Sequence, residues 1–214
     1  MKYTEDLLKK IIGNNKGTER EVEIPFMLAH LPEPPLKILD VGCSHSNIIY
    51  ELDKLGYDIH GIDMVQCNPA FEKFYLGDAR NMPYNDNEFD YILCISALEH
   101  FGKVGTPYKT DKVEDLTADV KAMREMYRVL KKGGKLILTL PVGYGEPHWY
   151  MWVRFYNEEV LQRILGEFDI ISIRYSYLLK KNGKEQWHTT NKETAENIYS
   201  KDKINANVSL LLEK

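Results

Sequence analysis

Cysteine is scarce in this 214-residue chain and poorly spaced for chemistry. Its three cysteines, Cys43, Cys67 and Cys94, include no CxxC pair, so neither a zinc ribbon nor a disulfide framework is expected. Cys94 sits inside an apolar run and reads as a small buried hydrophobe. No apolar run approaches the roughly 20 residues that a membrane helix needs, and the stretch from Met1 to Asp6 lacks the apolar core of a signal peptide. A reduced, cytoplasmic setting without a membrane partner is the default expectation. Excess positive charge is missing too: 28 Lys and Arg stand against 32 Asp and Glu, a formal net charge of −4. Phosphate binding normally leaves a basic footprint, so the balance argues mildly against nucleic acid as the main partner. Internal repeats and low-complexity tracts are absent.

What the chain does have is alternation. Residues 4–12 read as a short amphipathic helix with Leu7, Leu8, Ile11 and Ile12 on one side, stopped by Gly13-Asn14-Asn15. After the connector Pro32-Glu33-Pro34-Pro35, strand 36–41 is followed by helix 46–55, a C-capping Gly56 and strand 58–62. A short strand, Phe74-Tyr75-Leu76, precedes the near-continuous apolar run Phe89 to Ile95, which fits a central parallel strand covered on both faces. Helix 115–131, ended by Gly133-Gly134, strand 135–140, an aromatic loop and a helix near 157–166 follow. Strands 168–175 and 206–212 finish the pattern around a polar insertion, 179–205, with a short helix near 191–199. The expected fold is α/β, a single domain over 1–214. It comprises an N-terminal helical cap (1–35), a core (36–142) and a C-terminal part carrying the insertion (143–214).

The chemistry concentrates at strand ends. In Lys37-Ile38-Leu39-Asp40-Val41-Gly42-Cys43-Ser44-His45-Ser46-Asn47 an apolar strand runs through an acidic residue into a glycine, with a helix starting soon after. Such a turn places backbone N–H groups at the carboxyl edge of a parallel sheet, where doubly wound proteins bind ligands. A second carboxylate, Asp63, closes Tyr57-Asp58-Ile59-His60-Gly61-Ile62-Asp63. An isolated Asp at either place would read as a helix cap or a surface carboxylate, and Gly77-Asp78 as a common turn. Two acidic ends on adjacent strands indicate a nucleoside-bearing cofactor.

Five segments, in order, resemble class I S-adenosylmethionine-dependent methyltransferases. Ile38-Leu39-Asp40-Val41-Gly42-Cys43 resembles their first motif and Gly61-Ile62-Asp63 their second. Gly77-Asp78-Ala79-Arg80-Asn81-Met82-Pro83-Tyr84, leading to Glu88-Phe89-Asp90, resembles the third. Ser96-Ala97-Leu98-Glu99-His100 is similar to the end of strand four, and Met126 to Gly134 to the helix before strand five. Each segment alone is a weak signal, and the order and spacing carry the likeness. Residues 95–175 add a finer similarity to a little-characterised branch of methyltransferase-like proteins.

The resemblance implies a Rossmann-like doubly wound sheet of seven strands, mostly parallel, with an antiparallel last strand. It also implies S-adenosyl-L-methionine as cofactor and S-adenosyl-L-homocysteine as product. Gly42, Cys43 and Ser44 would approach the methionine part, and Asp40 would face its ammonium. Asp63 would accept the ribose hydroxyls, with Met64 beside it. Asp78 would accept from the adenine amino group while Ala79 N–H donates to the ring, and Ile95, Ser96 and Ala97 would form the floor under the sulfonium. The turn departs from the family pattern, since Cys43-Ser44-His45-Ser46 stands where many relatives carry further glycines. Ser46 could also cap the following helix.

The acceptor leaves less trace. Methyl transfer is an in-line displacement that requires an aligned acceptor and often a base. His100, at the strand-four edge, and His148, in the ring-rich loop 143–152, are the candidate bases. A structural hydrogen bond and an aromatic packing cluster are their bland alternatives. Asn81-Met82-Pro83-Tyr84 imitates the Asn-Pro-Pro-Tyr motif of base-modifying methyltransferases, but that motif belongs at the strand-four end. No ligand cluster for a metal stands out. A small-molecule acceptor is expected. The rivals are a noncatalytic binding or scaffolding protein, an RNA or protein methyltransferase, and a nicotinamide oxidoreductase, the last disfavoured because the first turn lacks GxGxxG.

Overall fold

The computed structural model describes residues 4–13, 15, 17–106, 111–143, 149–150, 152–198 and 204–214. Helix α1 spans Glu5–Ile12, where Thr4 Oγ1 accepts a hydrogen bond from Leu7 N at 3.3 Å and Gly13 turns the chain at φ +57°. Helix α2 (Arg20–His30) contains Pro25, whose missing N–H costs a helix interior about 3 kcal/mol. Burial of Ile24, Phe26, Met27 and Leu28 offsets that cost, since each fully buried apolar side chain contributes roughly 1.5–3 kcal/mol.

Strands β1 (Lys37–Val41), β2 (Asp58–Asp63), β3 (Phe74–Leu76) and β4 (Phe89–Ile95) follow, with α3 (Ile48–Lys54) after β1. A 3-10 turn at Leu98–His100 leads toward α4 (Ala118–Val129), β5 (Leu130–Pro141) and a hairpin, β6 (Trp149–Tyr150) with β7 (Val153–Arg154). Then come α5 (Glu158–Leu165), β8 (Asp169–Lys181), β9 (Lys184–Thr190), α6 (Lys192–Asn197) and β10 (Ala206–Glu213).

The main sheet has the order β3-β2-β1-β4-β5-β10-β8-β9. Strands β1 to β5 pair in parallel, whereas β10 runs antiparallel to both β5 and β8, and β9 antiparallel to β8. The architecture is therefore a mostly parallel Rossmann-like sheet with an antiparallel end. Among the described residues it has eight strands rather than the expected seven. The extra strand, β9, is the edge of a hairpin inside the polar insertion, and its mostly exposed residues give it no apolar alternation to read.

Helix α4 stops at Val129, short of the expected residue 131, because Leu130 already pairs with Phe89 in the sheet. The Gly133-Gly134 pair lies inside β5, not at a helix end, with Gly133 at φ +73°. Two apolar layers sandwich the sheet. One holds Met123, Met126, Leu161 and Ile164 of α4 and α5; the other holds Leu7, Ile24, Met27 and Ile49 of α1, α2 and α3. No described helix is long and apolar enough to cross a membrane.

Candidate functional site

A cleft of about 740 Å³ opens at the carboxyl ends of β1, β2, β3 and β4, where a doubly wound sheet places ligands. Of the residues expected at a cofactor site, Gly42, Ser44, Asp63, Met64, Asp78, Ala79, Ser96 and Ala97 line it, and so does His100. Asp40, Cys43 and Ile95 are buried immediately behind that lining.

The first turn is built by close approach. Gly42 has φ +81°, donates its N–H to Ile62 O at 2.9 Å, and would bring any Cβ to 2.3 Å from Ala97 Cβ. Only glycine fits that place. Cys43 turns its thiol away toward Gly61, where an added Cβ would lie 2.7 Å from Sγ. Burial pushes that thiol's pKa up, so the side chain is a neutral packing group. Any contact Cys43 makes with a ligand comes from its backbone. Ser44 N donates to Asp63 Oδ2 at 2.9 Å and Val65 N to Asp63 Oδ1 at 2.8 Å, so one carboxylate ties the first turn to the second. Each Asp63 oxygen keeps further acceptor capacity.

Beneath the turn, Asp40 is 2 % exposed, and its Oδ2 has no hydrogen-bond partner among the described residues. Burial raises its pKa to about 7, opposed by nearby Arg20 and assisted by Asp63. An orphaned buried carboxylate oxygen beside a ligand cleft suits a cation. The buried Ser44 Oγ is likewise without a described partner. Both orphans and the small Gly42 turn fit a ligand bearing an ammonium and a carboxylate.

Further along the cleft, Arg80 Nε donates to both oxygens of Asp78, at 2.9 and 2.8 Å. Its Nη2 donates to Asp111 Oδ1 at 2.7 Å, and Asp111 Oδ2 accepts from Gly102 N at 3.1 Å. The adjacent carboxylates push the guanidinium pKa up further, led by the hydrogen bonds that Asp78 accepts from it. Arg80 thus joins the β3 exit to the segment after the 3-10 turn.

The floor is a knot drawn from four elements. Ser96, at φ +45°, receives its N–H acceptor from Thr139 Oγ1 at 3.0 Å and donates its hydroxyl to Glu23 Oε1 at 2.6 Å. Glu23, fully buried on α2, also accepts from Asn207 Nδ2 at 2.7 Å and pairs with Arg20 at 3.1 Å. Arg20 Nη1 donates to Ile95 O at 2.9 Å. Glu99 lies in the same region, 1 % exposed, its Oε2 without a described partner and its pKa raised by burial to about 8.

The His100 ring is 3.0 Å from Trp152 O through Nδ1. A carbonyl only accepts, so Nδ1 carries the proton and Nε2 of the neutral ring carries the lone pair. Burial lowers the His100 pKa, keeping the ring neutral, while the Trp152 carbonyl opposes and Arg20 assists. His148 and most of its ring-rich loop lie outside the described residues.

Arg20, Glu23, Arg80 and Asp111 are the site residues that sequence reasoning missed. An Arg-x-x-Glu pair is a signal only on a helix, and Pro25 conceals that one. Among the described residues no group of three or more His, Cys, Asp or Glu side chains is placed to hold a metal ion.

The Methyltransferase domain family model matches residues 39–138, from β1 to β5. The chain is 27% identical over 146 residues to norajmaline N-methyltransferase of Rauvolfia serpentina, covering 60% of this chain and 45% of that protein. Its matches span about half the length, or less, of the curated relatives at the head of that comparison. Among solved structures, the 1,6-didemethyltoxoflavin-N1-methyltransferase of Burkholderia thailandensis, crystallised with S-adenosylhomocysteine, superposes with a TM-score of 0.61 at 14% identity. That likeness covers 94% of this chain and 79% of that one. A SAM-dependent methyltransferase of Methanosarcina mazei gives a TM-score of 0.59 at 17% identity, over 89% of this chain and 97% of that one. At such identities the structural likeness shows the fold.

Proposed function

We propose that this chain is a class I S-adenosylmethionine-dependent methyltransferase, in keeping with the Methyltransferase domain model that matches residues 39–138, and that it transfers a methyl group from S-adenosylmethionine to a small-molecule acceptor. The observation that carries the reading is the orphaned, buried Oδ2 of Asp40 under the Gly42 turn, at one end of a cleft that also holds Asp63 and Asp78. These groups run in the order in which an ammonium, a ribose and an adenine would need them.

S-adenosylmethionine, when bound, supplies a methyl group on a positively charged sulfur. The chain's own residues would do the rest. Asp40 would face the ammonium, with the Gly42–Ser44 backbone and Ser44 Oγ against the carboxylate. Asp63 would accept the ribose hydroxyls through its remaining lone pairs while its two backbone donors hold it still. Asp78, oriented by Arg80, would accept from the adenine amino group, with Ala79 N–H toward the ring. Ile95, Ser96 and Ala97 would form the wall on the sulfonium side. His100 would take the acceptor's proton at Nε2, because its other nitrogen is committed to Trp152 O. His148, in the loop after β5, is the second candidate for that role.

Calorimetry with S-adenosylhomocysteine, and with NADH as control, tests the cofactor. Binding of the former alone is expected, and binding of NADH alone overturns the reading. Incubation with methyl-labelled cofactor and a panel of amines, phenols and quinol-type acceptors then tests turnover. Tight cofactor binding with no labelled product from small molecules, RNA or protein would indicate a noncatalytic binding protein. His100→Gln should lower kcat by about 10²-fold with little change in cofactor affinity.

A further inference from the structure

The β6–β7 hairpin is too small to hold its own shape. Its register consists of two residue pairs, Trp149 with Arg154 and Tyr150 with Val153, and an isolated hairpin is marginal in water even when longer. Yet the carbonyl of Trp152, at its tip, sets the tautomer of His100. Something outside the hairpin must therefore fix that carbonyl.

Two residues further along, the Arg154 guanidinium is driven into the body of the protein. Its side chain is 2% exposed, Nη1 is ion-paired with the fully buried Asp119 of α4, and Nη2 donates to Leu116 O at 3.1 Å. Arg163 of α5 closes on the same Asp119 oxygen at 3.3 Å. Arg154 does not line the cleft. Removing two charges from water costs several kcal/mol before their attraction is counted, so such a pair is a poor device for stability alone. What it does deliver is a fixed position, because a fork held by a carboxylate and a carbonyl has little freedom. On the other side, Tyr156 N donates to Pro141 O at 3.0 Å and anchors the following residues to β5.

We infer that Arg154 and Asp119 are positioning residues for the proposed methyl transfer: they pin the β6–β7 hairpin so that the Trp152 carbonyl holds His100 with Nε2 as its basic nitrogen. The inference rests on the reading of His100 as the base. It adds a buried ion pair, outside the cleft lining, as the part that sets the base's proton.

The test reads the imidazole directly, by nitrogen NMR of histidine-labelled full-length protein without cofactor. The wild-type ring should be neutral, protonated at Nδ1, with its midpoint below that of free histidine. In the double variant Asp119→Leu with Arg154→Met, which removes both buried charges together, His100 should populate both tautomers and its midpoint should fall, because the Trp152 carbonyl that favours the charged ring is withdrawn. Turnover, where an acceptor has been found, should fall on the order of tenfold in kcat, with KM for the cofactor within about twofold and the acidic limb of the rate profile displaced. An unaltered His100 tautomer and midpoint in the folded double variant overturns the inference. If that variant does not fold, Arg154→Lys decides. It leaves Asp119 a cation but loses the fork to Leu116, and an unaltered ring there overturns the inference equally. Because the ring is read without cofactor, a wild-type protein that never turns over defeats the proposed reaction and leaves the coupling to be judged by the spectrum.

Discussion

Gly42 and Ala97 meet across the carboxyl edge of the sheet so closely that a β-carbon on the glycine would stand 2.3 Å from that of the alanine. Two obstacles to substitution coincide there, the contact and the left-handed φ of +81°. Gly42→Ala should destabilise the fold by roughly 1–3 kcal/mol from backbone strain alone, with more from the clash, and abolish S-adenosylhomocysteine binding. Adding Ala97→Gly should recover the clash component and leave the backbone component. Denaturant unfolding of the three variants measures both, and a fully additive cycle would refute the contact.

On the proposed reading, Asp40 should make cofactor affinity depend on pH. In the free protein its carboxyl titrates near pH 7 because it is buried, and an ammonium beside it favours the ionised form. Binding therefore releases a proton. Affinity should rise with pH up to about 7 and fall again as the ligand's own α-amine deprotonates near pH 8. Asp40→Asn should bind at least about tenfold more weakly and lose the rising limb. Calorimetry in buffers of different ionisation enthalpy checks proton release, and its absence in the wild type counts against the assignment.

Glu99 affects stability rather than binding. The folded protein holds its proton up to about pH 8, whereas the ordinary value is 4.5, so the native state binds the extra proton in between. The stability this group contributes is complete below about pH 4 and lost as pH rises toward 8. Glu99→Gln should therefore melt higher than wild type at pH 9, by a few degrees, and match it at pH 5. A difference of the same size at both pH values would mean that ionisation is not the cause.

Asp63 joins two turns as well as facing the cleft, so its variants should separate the two roles. Asp63→Ala removes the acceptor of Ser44 N and of Val65 N and should cost about 1–3 kcal/mol of stability, together with a loss of cofactor affinity of at least about 10²-fold. Asp63→Asn should keep one backbone acceptor and recover part of the stability, with little of the affinity. Unchanged affinity in a folded Asp63→Ala protein would remove this residue from the site.

The parts of the molecule that could be read in advance share a physical cause. Strands β1 and β4 are covered on both faces, so their residues form near-continuous apolar runs. Asp40 and Asp63 stand near the ends of β1 and β2, and Asp78 just past β3. Helix α4 repeats Met123, Met126 and Tyr127 at helical spacing, and its core position follows. Helix α2 lies within the expected helical cap, but its bounds escaped because Pro25 argues locally against a helix, and only the burial of its neighbours reverses that argument. Strand β9 escaped because an exposed edge needs no apolar alternation. The hidden site residues are hidden by distance along the chain: Arg20 acts on Ile95, 75 residues away, and Arg80 on Asp111, 31 away. Neither pairing leaves a local pattern.

The link between Glu23 and Asn207 spans 184 positions, and it has a kinetic consequence. Closing so long a loop costs more chain entropy than the pairings within β1 to β5, and we expect the link to form after them. Ser96 draws its hydroxyl acceptor from the same Glu23, so that wall of the cleft stays unfinished until α2 and β10 have both docked. A chain that has collapsed around β1 to β5 could already possess Asp40, Asp63 and Asp78 and yet lack that wall. Cofactor capture and catalytic competence would then arise at different moments in the maturation of each molecule.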